Sequence, residues 1–150
     1  MTERGILFSP AMVSAIFAGR KTTTRRLLPD DGALPYEPGD RLWVRETHFK
    51  FGYWERDPTK PQDGKRPRLR FVAMSEATFD PPRYPITARQ GPPADPDEWA
   101  RPTIYRRPAR FMFRADARLN LIVEECFAAD LASINGWEAE AEGIAAASKD

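Results

Sequence analysis

Residues 19–26, GRKTTTRR, gather four cationic side chains and three threonine hydroxyls behind one glycine. A solvated strand surface does not require that many donors. Arginine presents a planar fork of N–H groups that matches phosphate and carboxylate oxygens, and lysine adds a mobile point charge. A threonine hydroxyl beside a base can attack an acyl group. Phosphate recognition and acyl chemistry are the two functions this stretch suggests. The plain alternative is a solvated β edge, with threonine chosen for its strand propensity.

A second group lies in RLWVRETHF, residues 41–49. The pleat of a strand puts Leu42, Val44 and Glu46 on one face and Trp43, Arg45 and Thr47 on the other. Glu46 then points toward the core side, where a carboxylate needs a partner, and Arg25 or Arg26 is a natural one. Trp43 and Arg45 can stack on a base, although Trp43 also fits plain packing. His48 is the one histidine and has no Cys, Asp or Glu at ligand spacing, so no zinc site is expected. Tyr53, Trp54 and residues 101–110 either extend a nucleic-acid face or anchor loops. Near the end, Glu138 and Glu142 are four apart and share a helix face, which by spacing alone reads as a solvated surface.

These residues must be positioned by a chain of 150 residues, enough for one domain with one core. Net charge is +1, so nothing global argues for a polyanionic partner. From Ala115 onward there are eight acids and two bases, −6, which leaves +7 for residues 1–114. A basic body with an acidic end suits an anionic partner on one face, or a dipolar surface. Cys126 is the single cysteine, which excludes an internal disulfide framework. No stretch is apolar for long enough to span a membrane, and MTERGILFSP is not a signal peptide, so a cytoplasmic protein is expected.

Short elements punctuated by proline follow. GILF at 5–8 predicts a strand. SPAMVSAIFAG predicts a helix over 10–18, with Ser9 as N-cap, Met12, Ile16 and Phe17 in its apolar repeat and Gly19 as its stop. KTTTRRLL predicts a further strand. Residues 29–40 form a loop, with a turn at PGD. Residues 41–49, 68–74, 106–113 and 117–127 are expected strands. Residues 56–67 form a polar loop, and 81–102, with seven prolines, an irregular excursion. Asn135 and Glu138 match a capping box that opens a helix over 136–142, with Gly143 as its stop. The pattern predicts a mainly β fold with α, a small barrel carrying two short helices.

Three stretches in order, FAGRKTTTRR, PGDRLWVRET and ARLNLIVEECFAADLASINGWEAEAEGI, resemble the ASCH domain, a PUA-like β-barrel family, in its phage and prophage branch. The likeness covers most of the chain outside residues 50–100. It implies a single domain over 1–150 with a proline-rich insertion around 56–102. The chain departs from the branch at MFRA, 112–115, where a MPRW-like stretch is usual. It also stops at AAASKD, where the branch continues into a tryptophan-rich stretch. That departure predicts a barrel without its closing C-terminal strand, and an open edge through which the protein can form oligomers.

The resemblance also implies a role with RNA or a modified nucleoside or nucleotide. Some small ASCH proteins are amidohydrolases that deacetylate N4-acetylcytidine with a lysine, a threonine and a glutamate, and Lys21, Thr24 and Glu142 fall on that pattern. In such a site Lys21 takes the Thr24 proton, aided by the cations Arg20, Arg25 and Arg26, and Glu142 helps the amine leave. One geometric difficulty is that Lys21 and Thr24, three apart, face opposite sides of a regular strand, so convergence needs a turn after Gly19. The leading expectation is an RNA- or nucleotide-binding module whose cleft uses Arg20, Arg25, Arg26, Trp43, Arg45 and Glu46. An amidohydrolase, a ribonuclease and an inactive prophage remnant are the alternatives. No metal or other cofactor is expected.

Overall fold

A computed structural model describes residues 1–64, 66–80 and 88–142. The expected helix stop at Gly143 and part of the 81–102 excursion lie outside these residues. The chain clusters into two compact units, one of Met1–Glu46 with Ala117–Asp150 and one of Thr47–Asp116. The proline-rich 56–102 stretch falls inside the second.

The first unit holds β1 (Glu3–Leu7), α1 (Pro10–Phe17), β2 (Arg41–Arg45), β6 (Asn120–Ile122) and α2 (Gly136–Ala141). Its sheet runs β1-β2-β6, with β1 parallel to β2 and β6 antiparallel to it. Ser9 caps α1 through an N–H donated by Met12, Pro10 opens it, and Gly19 at φ 69° follows its end. Ile6, Phe8, Val13, Leu42 and Val44 form the core, with Ile16, Tyr36, Leu119, Leu121 and Val123 packed against it. α1 thus buries Val13 and Ala15 with Ile16 partly buried beside them, while Met12 and Phe17 from the expected repeat stay exposed. Asn135 and Glu138 form the expected capping box on α2.

The second unit holds β3 (His48–Arg56), β4 (Leu69–Ala73) and β5 (Thr103–Arg107), an antiparallel sheet in the order β4-β3-β5. Its centre is aromatic. Trp54, Phe71 and Tyr105 meet edge-on at centroid distances of 5.2–5.9 Å. Gly52 permits this, because a Cβ there would lie 2.3 Å from the Val72 carbonyl oxygen and 2.6 Å from Phe71 Cζ.

Several expected elements are corrected. Residues 41–49 are two strands, because pairing passes from one sheet to the other across Glu46 and Thr47. KTTTRRLL is irregular after a single bridge from Lys21 to Glu142, because no neighbouring strand runs beside its threonines. In 106–113 the strand ends at Arg107. Pro108 has no N–H for a ladder, and a 3-10 turn follows at Ala109–Phe111. In 117–127 only Asn120–Ile122 is strand, and extended backbone pairing continues to Val123 through Gly39 and Asp40. The described residues are therefore mainly β, in two three-stranded sheets with two helices, and they form no closed barrel. No helix among them is long and apolar enough to cross a membrane.

Candidate functional site

The basic stretch begins where α1 stops. The N–H groups of Arg20 and Lys21 both donate to the Ala15 carbonyl, which turns the chain sharply. The next two N–H groups, of Thr22 and Thr23, both donate to the Ala141 carbonyl at the end of α2. The end of α2 is thereby fastened to the exit of α1, and Lys21 is brought against Glu142.

Lys21 is 5% exposed. Its Nζ donates to the Glu142 carboxylate (Oε2) and to the Glu142 carbonyl at 2.9 Å each, and to the Thr23 carbonyl at 2.5 Å. Three acceptors match the three N–H groups of an ammonium. The ammonium also lies 5.7 Å from the Phe8 ring centroid. Arg25 approaches from the other side, 3.2 Å from Glu138 Oε1 and 3.7 Å from Glu142 Oε1. Glu142 Oε1 is buried and has no hydrogen-bond donor. Lys21 and Arg25 therefore flank a Glu142 carboxylate with one oxygen whose hydrogen-bonding capacity is unused.

Other expected site residues go elsewhere. Thr24 is half-buried, and its hydroxyl bonds neither Lys21 nor Glu142 among the described residues. Arg20 is exposed. Arg26 donates to the Leu7 carbonyl at 2.8 Å and lies 5.6 Å from the Phe8 centroid, so it closes over the core edge. Trp43 and Arg45 stack on each other at 5.4 Å over β1. They need Gly5 beneath them, because a Cβ there would fall 2.7 Å from Arg45 Cδ and 2.8 Å from Trp43 Cζ2. Glu46 is buried as its position in the pleat requires, but Arg118 supplies its paired guanidinium, where Arg25 or Arg26 was expected. Arg118 Nε and Nη2 donate to the two carboxylate oxygens at 2.9 Å each. Arg118 is one place before the core residue Leu119 in ARLNL. That adjacency was the available signal for it, since a cation there falls beside the Glu46 carboxylate that follows β2.

His48 is 1% exposed, and no group of metal-ligating side chains occurs among the described residues. No protein-family model, curated protein or solved structure matches this chain.

Proposed function

We propose that the chain binds RNA or a nucleotide as an ASCH-type, PUA-like protein, and that the Lys21–Arg25–Glu142 cluster recognises an amino-bearing base. The observation that carries this reading is the unsatisfied oxygen of Glu142. One oxygen of its carboxylate is taken by Lys21, and the other is buried without a donor. A buried acceptor left unmade is destabilising by about 1–3 kcal/mol, so a ligand N–H that reaches it gains that amount. Cytosine offers such an amine where uracil offers a carbonyl. Arg25 beside the carboxylate supplies charge for a neighbouring phosphate.

Binding fits the geometry better than hydrolysis. A lysine that acts as base must free a lone pair, whereas the Lys21 nitrogen donates in three directions. The amidohydrolase reading is favoured by one observation, the direct Lys21–Glu142 contact. It still requires Thr24 to reach the lysine. Acetate release from N4-acetylcytidine that is lost in Thr24→Val and partly kept in Thr24→Ser would establish that reading.

The experiment for binding compares cytidine with uridine monophosphate by calorimetry. The wild type is expected to prefer cytidine by about tenfold or more, equivalent to about 1.4 kcal/mol. In Glu142→Gln the amide oxygen faces Lys21 and the NH₂ faces the ligand, so the preference reverses toward uridine. A folded wild type with no preference between the two removes the reading.

A further inference from the structure

The second unit contains a cation held in the opposite way. Arg107, the last residue of β5, lies against three rings, with its guanidinium carbon 4.7 Å from the Phe71 centroid, 5.2 Å from Phe111 and 5.4 Å from Trp54. The rings pack against it but supply no acceptor oxygen. Among the described residues its guanidinium has no carboxylate, carbonyl or hydroxyl partner. Burial pulls the group below its ordinary pKa. A guanidinium carries five N–H donors. Here they are partly stripped of water with nothing offered in return.

Arg107 lines a cleft of about 200 Å³ together with Lys50, Arg70, Phe111, Phe113 and Asp116, among others. Two of the other charges there are already matched. Lys50 Nζ sits 2.8 Å from both oxygens of Asp116. Arg70 pairs with the Glu55 carboxylate, with its Nε at 2.7 Å. Arg107 is left as the uncompensated charge. Phe111 is already in contact with Arg107 and with Arg110, whose guanidinium lies 4.9 Å from its centroid. Phe113 is different. It is 72% exposed and has no ring or cation partner among the described residues. The cleft is smaller than the roughly 300–1,000 Å³ of sites that enclose a whole drug-sized ligand. It has room for one anionic group and part of a flat ring.

The geometry points to a second binding site, in which Arg107 receives the phosphate of a nucleotide unit and Phe113 stacks on its base. A tetrahedral phosphate offers oxygens to the edge of the guanidinium fork, and a phenyl face accepts any base. This site stands on residues separate from the Lys21–Glu142 cluster and does not depend on the reading proposed there.

The test uses the full chain and titrates adenosine 5′-monophosphate, adenosine, inorganic phosphate and a single-stranded oligoadenylate. The monophosphate is expected to bind, with affinity falling as salt rises, and to exceed adenosine by at least tenfold. Arg107→Met keeps the packing against the rings and should abolish binding, while Arg107→Lys should weaken it about tenfold. Phe113→Ala, at an exposed position that leaves the fold intact, should weaken the monophosphate severalfold and leave inorganic phosphate unchanged. Glu142→Gln should alter none of these values, which separates this site from the first. Oligoadenylate that binds more tightly than the monophosphate identifies a strand as the source of the phosphate, and equal affinity identifies a free nucleotide. Absence of monophosphate binding, or binding that survives in a folded Arg107→Met protein, overturns the proposal. Benzoate binding as tightly as the monophosphate would overturn the phosphate assignment.

Discussion

The two units each draw a cation out of water, Lys21 fully and Arg107 in part, and treat it differently. In the first, Lys21 is saturated by a carboxylate and two carbonyls beside a core rich in aliphatic side chains. In the second, Arg107 leans on rings around the aromatic Trp54–Phe71–Tyr105 group and keeps its N–H edge without an acceptor. An ammonium is compact and strongly hydrated, so burial demands replacement acceptors. A guanidinium is flat and weakly hydrated, and ring faces can take the place of water on its two sides. The first cation is thus committed to the fold, whereas the second retains donors for a ligand.

The sharpest way to break this comparison is one substitution made in both units. Lys21→Met leaves the Glu142 carboxylate buried without its main partner, and should destabilise the protein by about 3–5 kcal/mol. Arg107→Met orphans no carboxylate and removes a desolvated charge, so its effect should stay within about 1 kcal/mol. Urea unfolding of both variants measures the difference. Equal losses would mean that the two cations do the same structural work.

A smaller effect separates the units by pH. Asp40 and Asp57 are both buried turn carboxylates held below the ordinary carboxylate range. Asp40 is lowered by the backbone N–H groups of Thr2 and Glu37, and it ties segments 38 residues apart. Asp57 is lowered by the hydroxyl and N–H of Thr59, two residues away. A depressed folded value contributes stability above the unfolded value and loses it as pH falls through the folded one. Thermal midpoints should therefore drop as pH falls from about 5. Asp40→Asn should flatten that drop, and Asp57→Asn should alter it less. Equal flattening would show that the span of the contact is irrelevant.

The smallest effect is expected at Tyr105. Its ring is fully buried, its hydroxyl makes no hydrogen bond of full geometry although the equally unpaired Trp54 indole N–H interacts with it, and burial raises its pKa. Tyr105→Phe should be neutral or stabilising by up to about 1 kcal/mol in urea unfolding, because an unmet polar group leaves the interior. A clear loss would show that the Trp54 indole N–H depends on the hydroxyl as its acceptor.

Much of the local structure was legible because its signals are local. Ser9-Pro10 at one helix start and Asn135 with Glu138 at the other act over three or four residues, and both helices stand where those residues put them. The burial of Glu46 followed from the pleat of 41–45. Its partner Arg118 lies 72 residues away, and pairing at that distance leaves no periodic trace. The break between Glu46 and Thr47 was hidden for a related reason. An alternating strand pattern continues unchanged when the chain leaves one sheet for another. In GRKTTTRR, propensity suggested a strand, but two helix ends claimed the backbone N–H groups first. The Lys21–Glu142 contact stood in the sequence only through the family resemblance, and its hydrogen-bond geometry could not be read there. The aromatic setting of Arg107 draws on Trp54, Phe71 and Phe111, which no spacing rule connects.

The division of the first unit into two segments also bears on the order in which the protein assembles. Residues 47–116 are continuous, and β3 pairs with β4 and β5 through contacts that all lie within that span. The first unit needs β2 to meet β6, and Lys21 to meet Glu142 across 121 positions. Loop closure grows only as the logarithm of length, about 0.6 kcal/mol per doubling, but it must be met before those contacts give anything back. As the chain emerges from a ribosome, Met1–Glu46 waits without β6 and α2 while the second unit already has all of its strands. On sequence separation, the Lys21–Glu142 latch is expected among the later contacts, after the Arg107 cleft.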